Sequence, residues 1–154
     1  MKLFEVLDRH VEWEWKRHND NYTEAEFRIG RRDVRVMFVI HYNPNTDKMD
    51  MEDPPEYLRE IIFGSKDKDE PESEYSPKIT NTGNEFEVFA TVTKIIQAFV
   101  NKHSPPALMF KALVSEPSRV KLYKRFAKVL EKHGYETKFT GQYRDAINWV
   151  VVKK

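Results

Sequence analysis

Basic residues in the second half of the chain recur at the spacing of a helix. The stripe that they form consists of Lys121, Arg125, Lys128 and Lys132, separated by four, three and four residues. Residues at these separations lie on one helical face. Further cations flank the stripe or follow it along the chain: Arg119, Lys124, Lys138, Arg144, Lys153 and Lys154. Such a face predicts contact with a phosphate backbone or another anionic partner; the alternative is the ordinary solvated face of a surface helix.

The net charge of +1 is divided unevenly along the chain. Residues 1–99 contain 14 Lys and Arg against 21 Asp and Glu, whereas residues 100–154 contain 12 against 4. The first part therefore carries a charge of −7 and the second a charge of +8. Either the two parts dock and even out the electric field, or the basic part presents its charge to an anionic partner.

Other site chemistries lack their signatures. The chain has no cysteine, which excludes disulfides, thiolate nucleophiles and thiolate-bound metals. No Gly-x-Ser-x-Gly segment occurs for a serine nucleophile. The histidines are scattered without a His-x-x-x-His pair: His10, His18, His41, His103 and His133. One acidic loop lacks the glycine and the spacing of a calcium site: Asp47, Asp50, Glu52 and Asp53. The sequence therefore predicts no metal site.

Length and composition predict a single domain over residues 1–154. A hydrophobic share of 40%, with 13% aromatic residues, is enough to fill a core, and 33% charged residues supply its surface. No apolar run reaches the roughly 18 residues of a membrane helix, and the chain opens on a charged segment. We therefore expect a cytoplasmic protein that does not contact a membrane.

The first half of the chain predicts an antiparallel β-meander. Val11–Trp15 alternates apolar and charged residues, which places Trp13 and Trp15 on the core face of a strand. Further strands are expected at Thr23–Ile29, Val34–Tyr42 and Tyr57–Phe63, with a turn at Gly30–Asp33. The short segment Tyr57–Phe63 is also compatible with a helix. Residues 64–77 contain no aliphatic side chain and predict a mobile acidic loop.

The second half changes to helical periodicity. After Gly83, an apolar stripe predicts a helix of about five turns through Phe86, Phe89, Val92, Ile96 and Phe99. A strand at Ala107–Val114, a helix from a Ser115 cap to Gly134, and a strand at Ala146–Val152 are expected next. A meander followed by helix, strand, helix and strand predicts an α+β fold with an antiparallel or mixed sheet.

The segment Val114–Tyr123, with Gly134 and Tyr135, resembles the late strand–helix unit of the GNAT family of N-acetyltransferases. In that family an apolar strand is followed by Asn and then by a helix that bears Leu-Tyr and ends in Gly-Phe. Leu122-Tyr123 and Gly134-Tyr135 are the matching residues here. The helix after Gly83 then corresponds to the family's cofactor helix. The resemblance covers about residues 78–152 and implies a GNAT-like sheet.

This resemblance also implies site residues. Backbone N–H groups at Thr82, Gly83 and Asn84 would hold the pyrophosphate of acetyl-CoA at a helix N-terminus. Tyr123 would be catalytic, as the proton donor to the leaving thiolate. The alternative for a tyrosine on a buried helix face is core packing.

The chain departs from the GNAT pattern in its acidic residues. Glu85 stands where the family has a second glycine or alanine, and Glu116 replaces the family asparagine. Glu85 and Glu87 disfavour pyrophosphate binding because they add negative charge beside it. The helix between Tyr123 and Gly134 is also about two turns longer than is usual in the family.

A second resemblance covers the segment Ile79–Val92, with Glu116–Tyr123 later in the chain. These segments are similar to a set of small proteins from tailed bacteriophages. The similarity implies a phage-encoded protein in the cytoplasm of the infected cell, and it brings no activity with it.

Three functional hypotheses follow. The first is a non-catalytic binding protein on a GNAT-like scaffold that engages a host or viral protein or nucleic acid and needs no cofactor. An alternative is an acyl-CoA-dependent N-acetyltransferase, which predicts an open gap between a strand at Ile79 and the strand at Leu108. The third is nucleic-acid binding through one helix face, formed by Lys121, Lys124, Arg125, Lys128 and Lys132.

Overall fold

Seven strands and two helices make up the described part of the chain, which comprises residues 9–42, 55–67, 85–115 and 117–154 of a computed structural model. In chain order they are β1 (Trp13–Asn19), β2 (Tyr22–Ile29), β3 (Arg32–Tyr42), β4 (Tyr57–Asp67), α1 (Glu85–His103), β5 (Ala107–Leu113), α2 (Pro117–Glu131), β6 (Tyr135–Tyr143) and β7 (Ala146–Lys153).

The strands form one mixed sheet in the order β1-β2-β3-β4-β5-β7-β6. Antiparallel pairing joins β1 to β2, β5 to β7 and β6 to β7. Between β4 and β5 the pairing is parallel, with Arg59 opposite Leu108 and Glu60 opposite Met109. Parallel neighbours need a crossover connection, and here α1 lies in that connection. The predicted α+β class is therefore confirmed.

The backbone contacts divide the chain into two compact units, each built from two segments. The first unit contains the described parts of Met1–Phe38 and Ile62–Phe99, and the second contains those of Val39–Ile61 and Val100–Lys154. Each unit is described by itself below.

The core of the first unit follows the alternation predicted for β2. Ala25, Phe27 and Ile29 are buried on one face of this strand, as expected for a two-residue period. Phe38 of β3 stacks on Phe99 of α1 with ring centroids 4.0 Å apart. On β1, Trp15 is paired with Ala25 and its ring lies 6.4 Å from that of Phe38. The strand and helix faces predicted for this part of the core are confirmed.

A buried ion pair lies on the opposite face of β2. The alternation places Glu24 on the solvent side, yet Glu24 is only 5% exposed. Its carboxylate forms a salt bridge with the Arg35 guanidinium of β3, and Arg17 of β1 is its register partner on the other side. A buried carboxylate requires such compensation, because burial without a partner strongly disfavours its charge.

The second unit is organised around α2 and an aromatic cluster beneath it. Tyr123 and Phe126 point from α2 to Phe110 of β5, with centroid distances of 5.3 Å and 5.9 Å. Trp149 of β7 meets the ring of Tyr123 edge-on at 6.1 Å. Aromatic rings in these arrangements bury large apolar areas. The predicted inward face of the helix is thus confirmed.

Several predicted boundaries are wrong. β4 is a strand and continues to Asp67, so the predicted loop cannot begin at residue 64. Ser65 is buried and accepts a hydrogen bond of 2.9 Å from Arg32 Nη2, which explains why this polar segment is ordered as a strand. The remainder of that loop, residues 68–77, lies outside the described residues. The turn after β2 is confined to Gly30 and Arg31, because β3 begins at Arg32.

Two further differences concern single elements. Phe86 is 41% exposed and does not join the apolar stripe of α1; the guanidinium of Arg9 lies 5.7 Å from its ring centroid. Strand β6, over Tyr135–Tyr143, was missed by the sequence analysis. Its segment is polar, and Tyr135 is its one residue in the buried core among those whose side chains are described.

Both outer strands of the described sheet contain a β-bulge. On β1 the register with β2 shifts between Trp15 and Arg17, which leaves Lys16 as the extra residue. On β6 the register with β7 shifts between Thr137 and Phe139, which leaves Lys138 as the extra residue. A bulge bends the strand and interrupts its regular hydrogen-bond ladder.

Loss of the buried ion pair should destabilise the protein. We expect Glu24→Gln to lower the free energy of unfolding by about 2–3 kcal/mol, because it leaves the Arg35 charge without its carboxylate. This is less than the loss of about 3–5 kcal/mol for a fully buried pair, because Arg35 is partly exposed. Urea denaturation followed by circular dichroism measures this. As a control, Glu14→Gln breaks the exposed pair with Lys16 and should leave the midpoint unchanged. Equal midpoints for both variants would contradict the role of Glu24.

Candidate functional site

Helix α2 is positioned by its ends and its apolar face. Pro117 is its first residue, where a missing N–H costs no hydrogen bond. At the other end the chain turns through Gly134, whose φ of +88° favours glycine. Because Tyr123, Phe126 and Leu130 are buried, the rotation of the helix is fixed and its opposite face is directed to solvent.

The predicted basic residues all lie exposed on this solvent side. We define the basic face as Lys121, Lys124, Arg125 and Lys128 of α2 with Lys132 in the turn that follows. The only acidic residue between Pro117 and Gly134 is Glu131. The structure therefore brings together, at an exposed surface, the five residues that the sequence proposed for an anionic partner.

Arg119 does not flank the basic face as predicted. Its side chain is buried, and Nη1 donates a hydrogen bond of 3.3 Å to the hydroxyl oxygen of Tyr123. The two residues are one helical turn apart, which brings their side chains together. Arg119 thus belongs to the interior of the second unit, and the expectation that it contributes surface charge is wrong.

Tyr123 is only 2% exposed. Its ring is surrounded by Phe110, Phe126 and Trp149, and its hydroxyl contacts Arg119. This position accounts for Tyr123 as a core residue, and its proposed role as a proton donor stays a prediction. Thr82, Gly83 and Asn84, expected at the cofactor loop, lie outside the described residues, as does the strand expected at Ile79.

The C-terminus adds cations beside the end of α2. The backbone N–H of Lys154 donates to the carbonyl of Gly134 at 2.9 Å, which ties the end of β7 to the turn that follows Lys132. The Nζ of Lys153 donates to Ser104 Oγ at 2.6 Å. Lys153 and Lys154 are both exposed. The sequence predicts these lysines as an extension of the stripe; the structure places the backbone of Lys154 beside the turn after Lys132, whereas the ammonium group of Lys153 is directed to Ser104.

Aromatic residues at the same end of the second unit were missed as site residues. Tyr42, at the end of β3, is 62% exposed, and its ring centroid lies 6.3 Å from that of Tyr57 at the start of β4. Tyr57 lies at this end of the sheet because β4 runs parallel to β5, with Arg59 opposite Leu108. From the sequence alone, Tyr42 and Tyr57 are only strand positions, because the residues that they approach come from distant segments.

Tyr135 anchors this end of the unit. Its buried hydroxyl donates a hydrogen bond of 2.6 Å to the carbonyl oxygen of Pro105. Burial, with a smaller contribution from Tyr57, raises the pKa of Tyr135 to about 12. Desolvation acts in this direction because it disfavours the phenolate.

Metal binding and membrane crossing were the other properties considered from the sequence. Among the described residues, no three histidine, aspartate or glutamate side chains come together as ligands of a metal ion. Neither α1 nor α2 is long and apolar enough to cross a membrane.

Comparison of the chain with known protein families, with curated proteins and with solved structures finds no match. The two resemblances drawn from the sequence therefore remain predictions.

Alkaline pH should destabilise the protein through Tyr135. An unfolded tyrosine ionises near pH 10, whereas Tyr135 keeps its proton up to about pH 12 in the folded state. Its contribution to stability is therefore complete below pH 10 and is lost as the pH rises toward 12, by about 2 kcal/mol. Urea unfolding of wild type and Tyr135→Phe between pH 7 and 11.5 should show a steeper decline for the wild type; parallel profiles would contradict this assignment.

Proposed function

We propose that the protein is a non-catalytic binding protein that engages a polyanionic macromolecule through the basic face of α2, on a GNAT-like scaffold. The observation that carries the proposal is the exposure of all five cations on one face, with Glu131 as the one acid on this helix and its following turn. Cations that neutralise successive charges of a polyanion release its condensed counterions, which drives binding at low salt.

The internal cost of the basic face argues against an ordinary solvated helix. Three pairs of like charge stand at i and i+4: Lys121 with Arg125, Lys124 with Lys128, and Lys128 with Lys132. Like pairs at this separation destabilise a helix, each by about 0.2–0.5 kcal/mol, whereas surface helices gain stability from Glu–Lys pairs there. An anionic partner would offset this repulsion.

Charge reversal on the basic face should weaken polyanion binding. We expect the double variant Lys121→Glu/Lys128→Glu to bind a fluorescein-labelled heparin oligosaccharide about tenfold or more weakly at 50 mM salt, because two contacts become repulsive. Fluorescence anisotropy measures the affinity at 50 and 200 mM salt, and wild-type binding should fall steeply between the two.

The matched control is Lys16→Glu/Lys111→Glu, which changes the net charge equally. Lys16 is in β1, and Lys111 follows Phe110 on β5 and so projects from the sheet face opposite α2. Both residues are exposed. Equal losses in the two double variants would contradict a localised site, and a wild type that binds no heparin at 50 mM salt would overturn the proposed function.

A second candidate function is an acyl-CoA-dependent N-acetyltransferase. The parallel pairing of β4 with β5, with α1 in the connection between them, favours it because it supports the GNAT-like scaffold that the sequence resemblance implies. The burial of Tyr123 argues the other way, since a proton donor must reach the leaving thiolate.

Calorimetric titration with CoA and acetyl-CoA separates the two functions. The binding-protein proposal predicts no heat of binding for either compound at micromolar protein concentration. Binding that is lost in Gly83→Trp would instead favour the acetyltransferase, and transfer of the acetyl group to an amine would then be measured for Tyr123→Phe against the wild type.

A further inference from the structure

The basic face ends at the same end of the second unit as a pair of tyrosines, the exposed Tyr42 and the half-buried Tyr57, and this juxtaposition narrows the choice of partner. Resting on the proposed function, we propose that the polyanion is a single-stranded nucleic acid, whose phosphates contact the basic face and whose bases stack on Tyr42 and Tyr57. Grooves that bind single strands combine these two features: cations that follow the backbone and aromatic rings that receive successive bases.

A chain of contacts within the second unit connects the two features. Lys132 ends the basic face, and Gly134 two residues later accepts the hydrogen bond from the backbone of Lys154. Tyr135 follows, opposite Lys153 of β7, and β7 in turn pairs with the start of β5. Because β4 runs parallel to β5, Tyr57 lies at this same end of the sheet, and its ring lies 6.3 Å from that of Tyr42. The end of the basic face and the aromatic rings therefore lie at the same end of this unit.

The dimensions suit a short oligonucleotide. From Lys121 to Lys132 the chain advances eleven residues, which is about 16 Å at 1.5 Å per residue. This length corresponds to about five phosphates at the spacing of a stacked strand, and to fewer in an extended one. Tyr57 and Tyr42 share the end of the unit at which the stripe ends, and they would receive the next bases of the same strand.

The exposure of Tyr42 favours a single strand over a duplex. In a duplex the faces of the bases are stacked on one another and offer no surface to a tyrosine ring, so the basic face alone would contribute. In a single strand the faces are accessible, and stacking on an aromatic ring is favourable for every base. The large exposed fraction of Tyr42, 62%, leaves its ring accessible to such a partner.

The test uses the whole chain and a fluorescein-labelled oligonucleotide of twelve thymidines. We expect Tyr42→Ala to weaken binding of this oligonucleotide about tenfold, because one stacking contact is lost, while heparin affinity stays unchanged. Tyr42→Phe keeps the stacking ring and should bind like the wild type. Phe86→Ala is the matched control, since it removes an exposed aromatic ring from α1 in the other unit. Circular dichroism verifies that each variant is folded.

The outcomes separate this inference from the proposed function. If heparin binds and is sensitive to Lys121→Glu/Lys128→Glu, but the oligonucleotide affinity is unchanged by Tyr42→Ala, the single-strand inference is overturned and the proposed function stands. Tighter binding of a twelve-base-pair duplex than of the single strand would likewise overturn the single-strand inference and leave the proposed function standing. Absence of both heparin and oligonucleotide binding at 50 mM salt overturns both.

A direct readout comes from photocrosslinking. An oligonucleotide with 5-iododeoxyuridine at each position in turn should crosslink to Tyr42 or Tyr57, and mass spectrometry identifies the modified peptide. Crosslinks confined to α1 or to the first unit would overturn the inference.

Discussion

The packing of α2 on Phe110 and Trp149 is the constraint on which the surface chemistry depends. Tyr123 and Phe126 pack one side of the helix against this aromatic cluster. The direction in which every other side chain of the helix points is thereby fixed. The apolar pattern thereby decides where the charge lies. A helix with the same lysines and a weaker apolar stripe would keep them in one row but would not fix that row toward solvent, because the helix could rotate about its axis.

The second unit also shows how separate chain segments share one end of a sheet. The hydrogen bond from Tyr135 to Pro105 fixes the start of β6 against the connection before β5, and the antiparallel pairing of β7 returns the C-terminus to the same place. Lys154 thus approaches the end of α2, and Tyr57 lies at the same end of the sheet, although both are far from α2 in sequence. The residues at this end of the unit are brought together by strand pairing and do not form a contiguous sequence motif.

Much of this architecture could be predicted from the sequence, because local periodicity reports burial directly. The alternation of β2, the stripe of α1 and the inward face of α2 all follow from the spacing of apolar residues. Failures occurred where tertiary partners override local pattern. Ser65 is buried because Arg32 supplies its hydrogen bond, and Glu24 is buried because Arg35 neutralises it. Neither Arg32 nor Arg35 can be identified as the partner from the sequence around Ser65 or Glu24.

The same distinction applies to the candidate site. The five cations of the basic face are readable from helical spacing alone. Arg119 stands one turn before Tyr123, so the same spacing places it on the buried side, where it donates a hydrogen bond to the Tyr123 hydroxyl. Tyr42 and Tyr57 carry no recognisable signal, since their significance arises only when β3 and β4 bring the rings together.

Lys16 and Lys138 occupy equivalent positions at the two outer strands of the described sheet, each as the extra residue of a bulge. An unprotected outer strand presents a row of free N–H and C=O groups on which another copy of the chain can build. A bent strand with an ammonium group at the bend cannot be extended in this way without burying a charge. Self-association through these two strands is thereby disfavoured even at high protein concentration, and fibril growth by addition of strands meets the same barrier.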